Sequence, residues 1–263
     1  MYIIYLLFKL FMRKIVSLSI TDVQILPISS NGRKEIMEAL KEILIKNEWF
    51  TKQEVEEIFT SDVMKCIDEC TRPKQDEIFN AFNNLKPKDV RVLIIGQDPY
   101  PDTKGLEIAD GMAFSSKNVN ICPNSLKKIF DEIIREYKKC DFKTNSLVDW
   151  KNQGVLLLNS SLTFCPSIPI NISTKVWKTF INKVIDKILL NSPLVVMLWG
   201  RKAQKAFGKR TLNCKNILVL QSSHPNPRNK KYDTFSGNKH FKKCNEFLKM
   251  NHVNVIEWWK LED

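Results

Sequence analysis

Little in this chain breaks it into pieces. Glycine is scarce, eight residues in 263, and there is no Gly/Ser linker, internal repeat or low-complexity block. The simplest reading is one folded domain over residues 21–263, behind an N-terminal extension over 1–20. Metal-binding spacing is missing as well. Seven cysteines are scattered without a CxxC, and only three histidines accompany them, none near a cysteine pair. No metal and no cofactor is therefore expected. Scattered thiols in a chain of this size suit a reducing compartment, so an intracellular location is expected: nucleus, mitochondrion or cytoplasm, according to the source. Cys66 and Cys70 stand at helical spacing among apolar residues and are expected to be small buried hydrophobes. The phosphate-binding signatures G-x-G-x-x-G and G-x-x-x-x-G-K-[ST] are absent, which argues against a nucleotide-binding enzyme. The apolar start, MYIIYLLFKLFMRK, is interrupted by Lys9 and is too short to span a bilayer. It lacks the basic start and small-residue cleavage site of a secretory signal. A targeting segment, an extension upstream of Met12 and a strand packed on the core all remain open for it.

What the chain has in excess is positive charge: 41 Lys+Arg against 29 Asp+Glu, a net +12. Such a surplus favours a polyanionic partner, because cations near phosphates release condensed counterions. From Gly32 to Cys70 apolar residues recur every three or four positions, which predicts helices over 32–47 and 51–70, a helical cover for a core that comes later. From Val90 the pattern changes. Four short runs, VRVLII (90–95), VLLLN (155–159), LVVMLW (194–199) and ILVLQ (217–221), read as strands buried on both faces. Amphipathic stretches over 124–139, 173–190 and 201–209 lie between them. Strand alternating with helix predicts an α/β fold: a four-stranded parallel, twisted sheet flanked by helices on both faces. Right-handed crossovers then bring the carboxyl ends of all four strands to one edge, where open sheets of this kind bind ligands.

Each strand ends in polar sequence: GQDPY, NSSLT, GRKAQK and SSHPNPR. Asp98 and His224 each precede a proline, which holds the preceding residue in extended geometry. Each alone is more often an ordinary loop residue. Together at one sheet edge they form a carboxylate–imidazole pair across a cleft, which points to catalysis.

GQDPY at 96–100, GMAFSS at 111–116, LLLN at 156–159, LWG at 198–200 and HPNP at 224–227 resemble the motifs of family-1 uracil-DNA glycosylases. The similarity runs collinearly from about residue 45 to 260. It implies an N-glycosidic bond hydrolase that flips uracil from single- or double-stranded DNA and leaves an abasic site for base excision repair. It assigns Asp98 to the developing oxocarbenium charge and the attacking water, and His224, as a neutral imidazole, to uracil O2. Asn159 is carried over as the reader of the O4 and N3 edge, Phe114 as the stacking ring, and Tyr100 as the wall that refuses a 5-methyl group. Gln97 contributes contacts beside the base. Pro123, Ser125, Gly200, Ser223, Pro225 and Arg228 are expected to meet the DNA backbone, although Ser125 serves equally well as a helix N-cap. The implied protein is a monomer away from membranes, with an inhibitor protein of uracil glycosylases or replication proteins as further partners.

The chain departs from the family pattern in places. Arg228 stands where many members carry an apolar wedge, Pro101 follows the GQDPY tyrosine, Asn226 replaces a common serine, and the segment between Asp98 and Phe114 is longer than usual. These changes motivate a rival reading: a weakly active or inactive DNA-holding subunit of a replication complex.

Overall fold

The computed structural model describes residues 30–262 apart from 69, 211–215, 230 and 232. The expected extension over 1–20, and with it the apolar start, lies outside the described residues. Helices α1 (Ser30–Lys46), α2 (Lys52–Ile58) and α3 (Ser61–Lys65) open the fold. Apolar spacing predicts one helix over 51–70; the structure breaks it at Thr60. The Thr51 hydroxyl accepts from Glu54 N–H at 3.2 Å while the Glu54 carboxylate accepts from Thr51 N–H at 2.8 Å. Thr60 then caps again, accepting from Val63 N–H at 3.4 Å. A hydroxyl that satisfies free N–H groups starts a new helix rather than continuing the old one. Cys66, at the end of α3, is buried, but Cys70 beyond it is exposed, so the expected burial fails for the second thiol.

The chain continues through β1 (Val92–Gly96), α4 (Asn124–Tyr137), β2 (Asp141–Phe142), α5 (Val148–Asn152), β3 (Val155–Asn159) and α6 (Ile170–Ile188). It closes with β4 (Leu194–Trp199), α7 (Arg201–Phe207), β5 (Ile217–Ser222), α8 (His240–Met250) and β6 (Lys260–Leu261). Strands β3-β1-β4-β5, in that order, form one parallel sheet flanked by helices, as the alternating pattern predicts. Every residue of β1, β3 and β4 is buried. At the sheet edge β5 is only half-buried, so the expectation of two covered faces does not hold there.

Two aromatic clusters weld the outer elements to this sheet. Trp49, Phe79, Phe82, Trp177 and Phe180 pack ring against ring, and Trp150, Trp199, Phe241 and Trp258 do the same near the C-terminus. Each buried ring contributes roughly 2–3 kcal/mol of transfer energy. The Trp49 indole donates to the Leu85 carbonyl at 2.7 Å and Lys187 Nζ donates to the Trp49 carbonyl at 2.7 Å, which fixes the helical cover on α6.

Register decides where the polar segments emerge. Gly96 lies level with Asn159, Ile95 with Leu198, and Trp199 with Ser222. All four strands therefore release their following loops at one edge.

Candidate active site

The turns after β1 and β3 are stitched together. Ser160 N–H donates to the Gly96 carbonyl at 3.0 Å, and the Gln97 carbonyl accepts from Ser161 N–H at 2.9 Å and Ser160 Oγ at 2.8 Å. Asn159 is only 5% exposed, and its amide makes no hydrogen bond to any described residue. A methyl group at Gly96 would overlap Asn159 Oδ1 and lie 2.8 Å from Ala113 Cβ. Glycine is thus required at 96 so that the Asn159 amide can lie flat against the end of β1. Buried polar groups are normally paired within the protein. The Asn159 amide atoms are not among the fully enclosed unpaired atoms, so the amide keeps an open side, and a free donor beside a free acceptor suits an external hydrogen-bonding edge.

Phe114 lies on the turn after Gly111. Both residues have positive φ, 65° and 86°. Gly111 tolerates that conformation and packs against the Glu77 carbonyl. A phenylalanine there is held against a cost on the order of 1 kcal/mol. Its ring centroid lies 5.7 Å from that of Trp199 and 6.0 Å from that of His224. Phe114, expected as a stacking ring rather than core, is buried at 8% exposure but meets the imidazole. Tyr100 is half-buried, and burial pushes its phenol well above the usual range.

His224 follows β5. Gly200, at φ 96°, lets the start of α7 approach it: a Cβ at Gly200 would lie 3.1 Å from the His224 Cβ. Asn226 N–H donates to His224 Nδ1 at 3.1 Å. A backbone amide can only donate, so Nδ1 is the acceptor and the ring proton sits on Nε2, free to be offered outward. The Asn226 carbonyl, 3.2 Å from Nδ1, would pair only with the opposite tautomer. Burial also pulls the imidazole pKa below its ordinary value, which favours the neutral ring.

Asp98 follows Gln97 in the β1 turn. Burial raises its carboxyl to about 6, opposed by the positive charge of Lys202 and by the Gln97 side chain. It is therefore an anion at neutral pH, poorly solvated and ready to stabilise positive charge. Asp98, Asn159, Phe114 and His224 all lie at the carboxyl edge of the sheet, carried by the segments that follow β1, β3 and β5. An acceptor carboxylate, a neutral N–H donor, a free amide and an aromatic face can together hold a planar heterocycle and polarise a bond to it.

The other expected residues sit around this centre. Pro123 occupies the cap position of α4, with Ser125 inside the first turn, so Ser125 is not the N-cap. The Ser223 hydroxyl is engaged within its own loop: Thr234 N–H donates to it at 3.0 Å and Phe235 N–H at 3.1 Å. Pro225 is buried and Arg228 is exposed. The long segment after Tyr100 is anchored by ion pairs. Arg72 grips Asp102 through two bonds of 2.7 and 2.6 Å, and Glu107 pairs with Lys74 and Lys117 at 3.1 and 3.0 Å. Lys202 and Asp110 were not foreseen as site residues. Lys202 was readable only as one of two cations opening the helix after LWG, and Asp110 only as an acid preceding Gly111.

A model of the uracil DNA glycosylase superfamily matches residues 82–249. The chain is 41% identical over 190 residues to a protein of Dictyostelium discoideum named uracil-DNA glycosylase, covering 71% of this chain and 53% of that one. It is 36% identical over 187 residues to a protein of the same name from Mycoplasmopsis pulmonis, covering 71% and 81%. Among solved structures, mimivirus uracil-DNA glycosylase superposes with a TM-score of 0.68 at 26% identity, over 87% of this chain and 89% of that chain. A variant of the mimivirus enzyme in complex with UGI gives 0.72 at 27% identity, over 89% and 96%. A parallel sheet with its polar loops at one edge, and a family match that spans that edge from before β1 into α8, agree: this chain belongs to the uracil DNA glycosylase superfamily.

Proposed function

We propose that the protein is a uracil-DNA glycosylase: it flips uracil out of DNA, hydrolyses the bond between the base and deoxyribose, and leaves an abasic site for base excision repair. One observation carries the reading. The half-buried Asp98 carboxylate after β1 and the His224 imidazole after β5, whose Nδ1 accepts from Asn226 N–H, lie at the same sheet edge, with the Asn159 amide at the neighbouring end of β3 and the Phe114 ring 6.0 Å from the imidazole.

The base enters against Phe114, and Asn159 pairs with its O4 and N3–H through one acceptor and one donor. Cytosine presents the reverse pattern and leaves buried groups unpaired, which selects strongly against it. The Tyr100 ring stands where thymine carries its methyl, and Gln97 adds contacts beside the base. As the C1′–N1 bond breaks, its electron pair passes into the uracil ring and negative charge gathers on O2, which accepts from His224 Nε2–H. Positive charge grows on the sugar and is met by Asp98. Water adds to C1′, directed by Asp98, and its proton is lost to complete the abasic product. No step requires a metal or a cofactor.

Pro123, Ser125, Gly200, Ser223, Pro225 and Arg228 form the DNA-facing rim in this reading. The first turn of α4 offers backbone N–H groups to phosphates, while Gly200, whose own N–H is held by the Ser222 carbonyl at 2.9 Å, lets the backbone approach closely. Ser223 acts through loop shape, since its hydroxyl is already used and its N–H donates to Thr234 Oγ1 at 2.8 Å. The working unit is a monomer over residues 21–263 that accepts single- and double-stranded DNA. An inhibitor protein or replication proteins are further partners of this face. A pure DNA-holding role needs no carboxylate–imidazole pair and no unpaired buried amide, so it is the weaker reading.

The test is release of free uracil from a uracil-containing oligonucleotide in EDTA. Release is expected, and Asp98→Asn should lower it by about 10²–10⁴-fold. Tight binding without release would favour the holding role, and an unimpaired Asp98→Asn variant would remove the mechanism.

A further inference from the structure

Asp110 is 6% exposed and stands at the end of the anchored segment that follows Tyr100. Its two carboxylate oxygens are spent on different parts of the next turn. Oδ1 accepts from Met112 N–H at 3.1 Å, and Oδ2 accepts from the Ser115 hydroxyl at 2.5 Å. Ser115 Oγ accepts in turn from Leu147 N–H at 2.9 Å, at the start of α5. The Asp110 carbonyl is held by Asn80 Nδ2 at 2.9 Å, and Lys151 Nζ, itself only 7% exposed, donates to the Asn80 carbonyl at 3.4 Å. A single buried carboxylate therefore spans the turn that contains Gly111 and Phe114 at positive φ. From the other side, Ala113 N–H donates to the Leu157 carbonyl of β3 at 3.0 Å. The backbone at Phe114 is unfavourable for an aromatic residue and persists only where its surroundings over-determine it. The Asp110 carboxylate is the side chain that closes the turn around it.

We propose that Asp110 is a positioning residue: its carboxylate locks the Gly111–Ser115 turn in the conformation that aims the Phe114 ring at the base beside His224. It touches neither base nor sugar. The inference rests on the uracil-hydrolysis reading and adds a residue to the same site. The geometry implies that loss of the carboxylate damages recognition of the base and spares recognition of the DNA backbone.

The experiment compares wild type, Asp110→Ala, Asp110→Asn, Ser115→Ala and Phe114→Ala in three measurements: kcat and KM on a uracil-containing oligonucleotide, inhibition by free uracil, and binding to DNA that carries an abasic-site analogue. Asp110→Ala and Phe114→Ala should each weaken inhibition by uracil about tenfold and lower kcat by a similar factor, in line with loss of a base–aromatic stack. Their affinity for abasic DNA should stay within about twofold, since no phosphate contact changes. Asp110→Asn keeps an acceptor for Met112 N–H and should recover most of the loss. Should Asp110→Ala fail to fold, Ser115→Ala and Asp110→Asn carry the same comparison with smaller effects in the same direction. Unchanged inhibition by uracil overturns the proposal, and so does equal loss of uracil and abasic-DNA binding. A wild-type protein that releases no uracil overturns the underlying reading instead, which separates the two failures.

Discussion

At the scale of single residues, the site is built by burying groups that would be more stable in water. The Asp98 carboxyl titrates near 6 in the folded chain, against an ordinary value of 3.8. Only its anion can meet a positive sugar, so kcat/KM should fall about tenfold per pH unit below pH 6. Burial depresses the His224 pKa below its ordinary value, in the direction that favours the neutral ring. Asp98→Asn should abolish that acid limb in whatever activity remains, which a pH–rate profile reads directly. Stability should move the other way. A carboxyl whose folded pKa is raised favours folding below its unfolded pKa, and that advantage is lost as pH rises through the folded value. At pH 8 the wild-type protein therefore carries a buried charge that Asp98→Asn removes. Its Tm should be higher than wild type at pH 8, and the gap should close at pH 4. Gly96 makes a sharper case. The motif GQDPY marks the position, but the reason for glycine is the Asn159 side chain, some sixty residues further on and level with it in the sheet. Gly96→Ala should push that amide aside and cut uracil release on the order of 10²-fold, because misplacement by an ångström suffices. Circular dichroism should still report a folded protein.

At the scale of elements, the sheet was legible and the joints were not. Apolar runs without alternation mark β1, β3 and β4 because all three are wholly buried, and helix periodicity marks α4 and α6. Apolar spacing joins 51–70 into one helix because Thr60 passes for an exposed helical residue, and only its bond to Val63 N–H reveals a second start. The entry to α8 could not be read at all. Its N-terminal N–H groups at Phe241 and Lys242 donate, at 3.4 and 2.6 Å, to Glu136 of α4, 105 and 106 residues earlier in the chain. A cap supplied from so far away leaves no local signature. His240, the first residue of α8, was equally silent. Its Nδ1 accepts from the Trp199 indole at 3.1 Å, and burial lowers its pKa from 6.5 to about 4. Below pH 6.5 the unfolded chain takes a proton that the folded chain refuses, so stability drains away between pH 6.5 and about 4. His240→Gln keeps an acceptor for the indole but cannot titrate. Denaturant melts from pH 7 to pH 5 should show wild type losing stability relative to this variant, at on the order of 1 kcal/mol per pH unit. Parallel curves would mean that His240 is solvated or charged in the fold.

At the scale of the whole molecule, the net charge of +12 acquires a direction only when combined with the sheet edge. Composition alone permitted a lysine-rich surface with no partner. The fold assigns the polyanion a place, because the segments after β1, β3, β4 and β5 emerge together and Arg201, Lys202 and Arg228 lie on two of them. Lys202 opposes the rise of the Asp98 pKa and is itself exposed. Exposed charges far apart are screened at physiological salt, so the general surplus should steer DNA while the edge cations set the measured affinity. This has a quantitative consequence. The logarithm of the DNA association constant should fall linearly with the logarithm of salt concentration, by about 0.9 for each phosphate neutralised on duplex and about 0.7 on single strands. Arg228→Ala should reduce the slope by about one phosphate and weaken binding equally on uracil-containing and uracil-free duplexes. If Arg228 instead fills the space left by the flipped base, its loss should leave the slope intact and impair only uracil-containing duplex. Affinity titrations at several salt concentrations on the two duplexes separate these outcomes, because a phosphate contact is blind to the base and a wedge is not.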